Sequence, residues 1–534
     1  MGLLLCKQLL KIQTRPLTAY GDISVLSVPS MGCVQSKEEI DFEETKALLL
    51  QNIAEAEKEI KTREESSAEK EKEKGPRSEH AATSGRDFNV QDLVWPDPDP
   101  GVTKSLAVDD VTRLNSTEVE RIFFVRNSGD VQRVLSQARA EGRSVSMRGT
   151  QHSMGGQSIA PGGFVIDMAR LNKMELNPAT GTVTVGPGVL WSQLVLYLNQ
   201  FGLSPQTLQS YSTFSVGGSL SVNAHGITSD QSVQDSVVSL SVVRWDGAVT
   251  FCSLEVEKEL FSLVLGGYGM FGVMVEVELK VQDNAHLWME LIECTTEEFP
   301  LMYGSLLEDK SVDIKLGRID TVKGESCQLF VFKKTRSREG VRTVSSVPLE
   351  PREMSATSQL LYKWLLPAGK NLRSTLENIT GQALDWSDAN ERNLLIYESC
   401  LPLAKMFTPL HTIDHTFVLQ EFFVPKGRFT AWMHASKSIL TARYKKVTLL
   451  NCTVRFVFED KTTLLSYSRD KEGSFAFVHY YRVVRNSDGD KELAQIHDKL
   501  TKVTFYLPYR HHYTKEQLLQ AYPRIEEFFQ TLLI

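Results

Sequence analysis

One eleven-residue loop holds most of the residues in this chain whose types and spacing suggest chemistry. It runs from Arg148 to Ser158 and reads RGTQHSMGGQS, with three glycines, a histidine and several hydroxyl or amide side chains. Glycine lets backbone N–H groups approach an anion closely, because it has no Cβ and adopts positive φ angles freely. A pyrophosphate is the ligand that this composition favours. The loop is neither a GxxxxGK[ST] phosphate loop nor a GxGxxG fingerprint, so ATP binding and a Rossmann-type NAD site are disfavoured.

The segments before this loop must hold it in place. Residues 121–125 form a short apolar strand, residues 130–141 have the apolar spacing of a helix, and residues 145–147 form a second strand. This order predicts a β-α-β-like unit whose second strand ends at the loop.

Four blocks of sequence resemble, in their order and spacing, the vanillyl-alcohol-oxidase or PCMH family of FAD-binding oxidoreductases. Cytokinin dehydrogenases, aldonolactone oxidases and alditol oxidases belong to that family. The blocks are the loop with APGGFVIDMARLN at 160–172, TVTVGPGVL at 182–190, Ser215 through Gly226, and GGYGMFGV at 266–273. The resemblance covers about residues 117–281 and implies an α+β protein. It implies an FAD-binding domain of two α/β subdomains, followed by a mixed-sheet substrate (cap) domain placed over the flavin.

The resemblance also implies which residues hold FAD. In relatives, the histidine at the position of His152 is bonded covalently to the 8α-methyl group of the isoalloxazine ring. Many covalent members have glycine where this chain has Gln151, so this position departs from their pattern. Residues 205–226 include no cysteine, so a second, cysteinyl bond is not expected. The other implied cofactor contacts are Met147, Gly149, Thr150, Gln151, Ser153, Gln157, Ser158, Ser210, Ser215, Gly217, Gly218, Ser221 and Val273.

The second half of the chain is expected to hold the substrate. Strand patterns occur at 311–319, 327–333, 416–425, 447–458 and 474–484, and helical stretches and loops at 350–410. The polar residues on these strands that are candidates to face the flavin are Gln420, Glu421, Arg455, His479, Tyr480 and Tyr481.

Three residues are predicted to be catalytic: His225, Arg455 and Tyr509. His225 lies near the end of the block from Ser215 through Gly226, after its pair of glycines, and its imidazole could remove the proton of a substrate hydroxyl. Tyr509 lies where lactone and alditol oxidases have a histidine-tryptophan motif, which this chain does not reproduce. Ser210 lies where cytokinin dehydrogenases have an aspartate base. The first departure weakens a lactone assignment, and the second disfavours amine oxidation of the cytokinin type.

These features predict an FAD-dependent oxidoreductase that acts on a hydroxylated small molecule: a sugar, an alditol or a hydroxy acid. A hydride would pass to FAD, and O₂ or another acceptor would reoxidise the flavin. One alternative is an FAD-dependent reductase of the sterol-reductase type, against which His152 argues. The other is a lipid-anchored scaffold without turnover, against which the intact glycine-rich blocks argue.

Composition excludes several other classes of protein. The chain has 534 residues, 42% of them hydrophobic, and a net charge of −7. This mild charge, without a basic stripe, argues against a nucleic-acid-binding protein. Seven widely spaced cysteines without CxxC or zinc-type spacing favour free thiols in a reducing compartment. No apolar run reaches the roughly 20 residues of a transmembrane helix, so the bulk of the protein is expected to be soluble.

The first ninety residues are predicted to be a targeting segment and a spacer rather than a folded domain. Residues 1–30 are basic with few acidic side chains, as in a mitochondrial transit peptide. Alternatively, translation from Met31 gives MGCVQS, which fits myristoylation of Gly32, with Cys33 available for palmitoylation and peripheral membrane attachment. Five divisions are predicted: the targeting segment and charged spacer 1–90, an extended arm 91–116, the FAD-binding domain 117–281, the substrate domain 282–499, and a C-terminal segment 500–534 that packs on the FAD-binding domain.

Overall fold

The computed structural model describes residues 107–228, 230–321, 323–336, 340–346, 389–398 and 414–531. The predicted targeting segment, the myristoylation site, the charged spacer and most of the stretch predicted at 350–410 lie outside the described residues. Within them, the strands form four sheets of two, three, six and eight strands.

The predicted β-α-β-like unit is present at the start of the described chain. Its elements, with the short ribbon before them, are β1 (Ala107–Val108), β2 (Thr117–Glu118), β3 (Arg121–Phe124), α1 (Ser128–Glu141), β4 (Val145–Arg148) and β5 (Phe164–Asp167). Strand β5 lies between β3 and β4, and both pairings are parallel. Helix α1 begins where the Asn127 side chain accepts a hydrogen bond from Asp130 N, and it ends at Gly142, whose φ is 62°. The loop 148–158 therefore leaves the carboxyl end of a parallel strand.

A second, antiparallel sheet completes the FAD-binding half. Its strands are β6 (Met174–Asn177), β7 (Thr182–Val185), β8 (Leu203–Pro205), β9 (Val237–Val243), β10 (Val249–Ser253) and β11 (Val273–Asp283), in the order β10-β9-β11-β7-β6 with β8 also paired to β11. Its helices are α2 (Trp191–Asn199), α3 (Val216–Ser221) and α4 (Lys258–Val264). The indole of Trp191 is fully buried and donates a 2.9 Å hydrogen bond to Ser219 Oγ, which links α2 to α3.

The largest sheet forms the half of the chain that is predicted to hold the substrate, and we refer to it as the substrate half. Its strands are β12 (His286–Thr295), β13 (Val312–Ile319), β14 (Ser326–Lys334), β15 (Asn390–Glu391), β16 (His415–Pro425), β17 (Val447–Val457), β18 (Ser474–Val484) and β19 (Thr504–Phe505), in the order β15-β12-β14-β13-β17-β18-β16-β19. Its helices are α5 (Phe299–Glu308), α6 (Arg392–Glu398), α7 (Phe429–Leu440) and α8 (Ser487–Leu500), and α9 (Lys515–Ala521) and α10 (Ile525–Thr531) follow the last strand.

The expectation of a mixed sheet in this half is wrong for the described strands, because every pairing of one strand with another is antiparallel, and the parallel pairing found there is an isolated bridge of Arg342 with Asn390. Strands β16 and β17 are joined through α7 and run in the same direction. They are not neighbours, because β18 lies between them and pairs with both. A helical connection alone therefore does not produce a parallel pair here.

Several contacts join the segments around these sheets. The buried guanidinium of Arg392 bonds Asp313 on β13 at 2.6 Å and the Pro205 carbonyl of β8 at 2.9 Å, so it connects the two large sheets. In the C-terminal segment, the Phe528 ring lies edge-on to Phe271 with centroids 5.0 Å apart. That segment contacts the FAD-binding half through this pair.

Two further properties concern the described part of the chain. None of its helices combines the length and the apolar character needed to cross a bilayer. Four of its cysteines, Cys252, Cys294, Cys327 and Cys452, are buried and free.

Candidate functional site

A cavity of about 1150 Å³ lies where the loop 148–158, helix α3, the sheet of the substrate half and the C-terminal segment meet; we refer to it as the central cavity. Its volume exceeds the range of about 300–1,000 Å³ that is usual for small-molecule sites. All the predicted cofactor and catalytic residues line it: Met147, Gly149, Thr150, Gln151, His152, Ser153, Gln157, Ser158, Ser210, Ser215, Gly217, Gly218, Ser221, Val273, His225, Arg455 and Tyr509. The structure thus brings the whole predicted set together, although those residues come from both halves of the chain.

The loop 148–158 and the block 215–226, which we call the first and second glycine-rich blocks, touch each other at this cavity. A Cβ on Gly149 would overlap the hydroxyl of Ser215, and a Cβ on Gly217 would lie 2.5 Å from the Cβ of Pro187. Ser215 Oγ in turn accepts a hydrogen bond from Gly218 N. Any larger side chain at Gly149 would push the two blocks apart, so the glycines are required by packing as well as by any ligand.

The loop is also held from the C-terminal side. Gln157 Nε2 donates hydrogen bonds to the carbonyls of Leu507 and Tyr509, at 2.8 and 2.9 Å. Met154 N donates to the Pro508 carbonyl at 2.8 Å. The segment around Tyr509 therefore forms part of the cavity wall.

The residues of the central cavity fit a flavin dinucleotide. Two glycine-rich blocks suit a pyrophosphate, and aromatic side chains such as Tyr211, Phe214 and Tyr506 supply apolar surface for a ring system. Ser158 Oγ is buried and has no hydrogen-bond partner among the described residues. Since buried hydroxyls are normally hydrogen-bonded, this orphaned group is consistent with a polar ligand in the cavity.

His152 lies against two aromatic rings. Its ring centroid is 4.2 Å from that of Phe214 and 6.2 Å from that of Tyr211, and these two rings stack on each other. Burial lowers the pKa of His152 to about 4. At neutral pH the imidazole is therefore uncharged, and one ring nitrogen retains its lone pair.

Gln151, the departure from the covalent pattern, adopts a backbone conformation that favours glycine. Its φ is 58°, in the left-handed region that costs most side chains free energy. Gln151 Nε2 donates to the Asp109 carbonyl at 2.7 Å, and the Gln151 carbonyl accepts from Val111 N at 3.0 Å. The end of the predicted extended arm thus supports this residue, and residues 107–116 pack on the FAD-binding half.

Strand alternation divides the candidates of the substrate half into two sets. Glu421, Arg455 and Tyr480 line the central cavity. Gln420, His479 and Tyr481 are buried and do not line it, so the expectation that they face the flavin is wrong. Consecutive residues of a strand point to opposite faces, and these three occupy the rear face of the sheet. There His479 Nδ1 is hydrogen-bonded to the Tyr481 hydroxyl at 2.9 Å.

A buried pair of His225 and Glu421 lies on the cavity wall. His225 Nε2 is in very short contact with one carboxylate oxygen of Glu421, and the Tyr509 hydroxyl donates to the other at 2.7 Å. Burial opposes ionisation of Glu421, but the histidine outweighs it, with help from Tyr509 and Arg455, so the pKa of Glu421 lies below its ordinary value. Glu421 is therefore an acceptor and Tyr509 a protonated donor, since burial and then Glu421 raise the pKa of Tyr509.

From the sequence, Glu421 is predicted to face the flavin but is not among the residues predicted to be catalytic. The signal was present: its strand reads HTFVLQEFFVP, where one acidic residue interrupts an apolar run. A carboxylate buried in such a strand needs partners, which marks it as a candidate for function. Sequence spacing alone could not name His225 as its partner, because 196 positions separate the two residues.

Arg455 makes a different contact on the same wall. Its Nη2 donates a 2.6 Å hydrogen bond to the hydroxyl of Ser210. Ser210 thus bonds a substrate-half residue, whereas the sequence placed it among the cofactor contacts.

Comparison with known proteins shows similarity in the region that contains the loop 148–158. Residues 119–253 match the family described as "FAD binding domain". An uncharacterized oxidoreductase, ORF5 in the fasciation locus of Rhodococcoides fascians, is 38% identical over 187 residues, which is 35% of this chain and 41% of that protein. Cytokinin dehydrogenase 5 of Oryza sativa subsp. japonica is 33% identical over 207 residues, 36% of this chain and 39% of that protein. Cytokinin dehydrogenase 4 of Arabidopsis thaliana is 34% identical over 174 residues, 31% of this chain and 33% of that protein.

These similarities concern only part of each protein. The chain matches about two fifths or less of the length of these curated relatives. The matched family region, 119–253, includes both the loop with His152 and the second glycine-rich block. These matches support a PCMH-type FAD-binding domain, similar to that of FAD-binding oxidoreductases, in this region of the chain.

Proposed function

We propose that this protein oxidises a hydroxylated small molecule at a carbon that bears a hydroxyl group. The observation that carries the proposal is the buried pair of His225 and Glu421 on the wall of the central cavity. A histidine positioned by an ionised carboxylate is suited to accept the proton of a substrate hydroxyl.

The proton chemistry follows from the contacts of the pair. Because Glu421 is ionised, it accepts a hydrogen bond from Nε2–H of His225, which leaves the lone pair on Nδ1. His225 Nδ1 has no hydrogen-bond partner among the described residues. It is the atom that we assign to proton acceptance. The positive charge that forms on the ring is then stabilised by Glu421, which Tyr509 holds in place.

The remaining chemistry belongs to the cofactor. When bound, FAD supplies the two-electron acceptor for a hydride from the substrate C–H, and O₂ or another acceptor reoxidises it. His152, which the low pKa keeps neutral, would hold the flavin through a bond from its unprotonated nitrogen to the 8α-methyl carbon. That bond would replace one C–H bond of the methyl group, whose proton would go to solvent and whose electron pair would go to the flavin ring and then to the acceptor that reoxidises it. The rings of Phe214 and Tyr211 restrict the imidazole and favour a single orientation for that bond.

Oxidation of an amine is the second candidate, because relatives of this chain are named cytokinin dehydrogenases. Two observations favour the hydroxylated substrate over it. Ser210 occupies the place of the aspartate base of those enzymes, and it is bonded to the guanidinium of Arg455. A fixed positive charge on the cavity wall disfavours a cationic amine.

A flavin assay tests the cofactor part of the proposal. The purified protein is precipitated with acid, and flavin is measured in the pellet and the supernatant for the wild type, His152→Ala and His434→Ala. His434 is an exposed residue that contacts Glu297 and does not line the central cavity, so it is the matched control. We expect flavin in the pellet for the wild type and the control and in the supernatant for His152→Ala. Release from all three would contradict the covalent bond, and absence of flavin would contradict the proposal as a whole.

Anaerobic mixing tests the reaction. Glucitol, gluconate and lactate are mixed with the oxidised protein, and loss of the flavin absorbance is recorded, with benzylamine and NADPH as alternative reductants. We expect bleaching by at least one hydroxylated compound, with a rate that falls by about 10²- to 10⁴-fold in His225→Gln. Bleaching by benzylamine alone would favour amine oxidation, and bleaching by NADPH alone would favour a reductase.

A further inference from the structure

The charges on the wall of the central cavity are unequal. Among the described residues that line it, three are arginines, Arg148, Arg318 and Arg455, and one is a carboxylate, Glu421; none is lysine or aspartate. The cavity therefore has an excess of positive charge close to the proposed proton acceptor.

Two of these groups are already engaged. Arg148 bonds Asp167 at 2.7 Å, which neutralises it, and Glu421 is occupied by His225 and the Tyr509 hydroxyl. Arg455 differs, because the hydrogen bond described for it goes to the neutral hydroxyl of Ser210. The charge of Arg455 acts on the ionised Glu421 from a distance, but no carboxylate of the described part of the chain lies within salt-bridge distance of the guanidinium, and its Nε is buried without a hydrogen-bond partner there.

A partly buried guanidinium without an ion pair costs free energy unless an anion binds to it. Transfer of a charge from water is unfavourable unless the charge is paired and hydrogen-bonded. Guanidinium presents several donors in a planar fork, and carboxylates match that fork better than other common groups do. Arg455 and the Ser210 hydroxyl can thus donate hydrogen bonds to a ligand carboxylate.

The sheet register places this site at a useful distance from His225 and Glu421. Strand β18 separates β17, which holds Arg455, from β16, which holds Glu421. Arg455 is opposite Ala476, which is opposite Phe423, two residues from Glu421. Two strand spacings amount to about 10 Å between backbones. Arg455, Glu421 and His225 all line the central cavity, so a short molecule can span the distance between them.

We propose that Arg455 and Ser210 bind the carboxylate of the substrate and that the substrate is a hydroxy acid. This inference rests on the proposed function and specifies its substrate class. In the reaction, the C–H bond at the hydroxyl-bearing carbon breaks and its electron pair leaves as hydride to FAD. The O–H bond breaks and its proton goes to His225. A carbon–oxygen double bond forms, so the product is the corresponding oxo acid and the flavin is reduced by two electrons.

Gluconate and glucitol form a matched pair of substrates, since they differ in a carboxylate against a hydroxymethyl group at one end. We expect wild-type kcat/KM to be at least about tenfold higher for gluconate, as a charge-assisted hydrogen bond contributes a factor of that order or more. Lactate and propane-1,2-diol repeat the comparison with shorter molecules. In Arg455→Gln, the acid-to-alcohol ratio of kcat/KM should fall by about tenfold to hundredfold, mainly through KM for the acid.

Two further variants control this experiment. Arg524→Gln removes an exposed arginine that pairs with Glu527 and does not line the cavity, so it should leave the ratio unchanged. Arg455→Lys keeps the charge and loses the planar fork, so it should restore only part of the ratio. If kcat/KM fell equally for the acid and the alcohol in Arg455→Gln, the inference would be overturned, because the arginine would then act on the flavin or on packing.

Binding supplies a readout that does not require turnover. Oxalate, which has no C–H bond to oxidise, is titrated into the flavin-containing protein while the visible spectrum is recorded. We expect saturable spectral change in the wild type and at least about a tenfold weaker Kd in Arg455→Gln. Absence of binding, or equal Kd values, would overturn the inference.

Failure of the inference and failure of the proposed function give different results. If the wild type oxidises glucitol and gluconate equally and does not bind oxalate, the oxidation of hydroxylated substrates stands and the carboxylate subsite is wrong. If oxalate binds through Arg455 but no hydroxylated compound reduces the flavin, the subsite stands and the proposed function is wrong.

Discussion

The two walls of the central cavity are built in different ways. On the flavin side, eight lining residues come from one eleven-residue loop, Arg148 to Ser158, at the end of one strand. On the substrate side, the lining residues come from the adjacent strands β13, β17, β18 and β16, with between one and four residues from each, and include Arg318, Arg455, Tyr480 and Glu421. The first wall is a local structure, and the second exists only after a large sheet has assembled.

The walls also differ in what stabilises them. Close packing of backbone and small side chains holds the flavin side, as in the contact of Gly149 with Ser215. Buried polar groups hold the substrate side, where Glu421 depends on His225 and Tyr509. A change on one side should therefore affect cofactor retention, and a change on the other should affect turnover.

Loss of the carboxylate on the substrate side should have the largest effect. In Glu421→Gln, His225 loses the group that orients it and stabilises its charged form, so kcat should fall by about 10²- to 10⁴-fold. Flavin content should stay at the wild-type level. Glu293→Gln, on the same sheet but outside the cavity, is the control and should retain full activity. If Glu421→Gln lost flavin to the same extent as it lost activity, the separation of the two walls would be contradicted.

The rear face of the same sheet should make stability depend on pH. Burial lowers the pKa of His479 to about 3, from an ordinary value of 6.5. Between these values the unfolded chain binds a proton that the folded chain does not, so the free energy of unfolding decreases as pH falls below 6.5. From pH 6.5 to 4 this residue should contribute a loss of about 3 kcal/mol.

Chemical denaturation at several pH values measures this slope. His479→Asn should flatten it, whereas His434→Asn, at an exposed site, should leave it as in the wild type. An unchanged slope in His479→Asn would show that this histidine is not the group responsible.

On the flavin side, the packing of the two glycine-rich blocks should control cofactor retention. Gly149→Ala places a Cβ against the Ser215 hydroxyl, and overpacking of this kind costs about 1–3 kcal/mol. Flavin affinity, measured by titration of the apoprotein or by flavin content after purification, should fall by a matching factor of about tenfold or more. Gly427→Ala adds a Cβ in open space and is the matched control. Equal flavin content in both variants would show that the blocks can separate without cost.

The smallest effect is expected at Gln151. In Gln151→Gly, relief of the left-handed conformation gains about 1 kcal/mol, and loss of the hydrogen bond to the Asp109 carbonyl costs about as much. Net stability and the covalent flavin fraction should therefore change little. Gln151→Val places a β-branched residue at the same φ and should destabilise by about 1–3 kcal/mol. Loss of covalent flavin in the glycine variant would show that the glutamine side chain takes part in attachment.

Most of the flavin wall could be predicted from the sequence. The β-α-β-like unit, the glycine-rich blocks and His152 were all identified, because each depends on residues that are neighbours in the chain. Loop glycines mark backbone conformations and close approaches directly, without knowledge of distant partners. Strands β13, β14, β16, β17 and β18 were also predicted to within two residues at each end, because their apolar patterns are local.

The residues that meet on the substrate wall could not be predicted in this way, because their contacts depend on how the sheet assembles. Alternation divides Gln420 from Glu421 and His479 from Tyr480, but only strand order and register show which set faces the cavity. The pairing of His225 with Glu421 and that of Arg455 with Ser210 cross 196 and 245 positions of sequence. A shift of register by one residue would exchange the two faces of a strand, so contacts of this kind are properties of the assembled sheet.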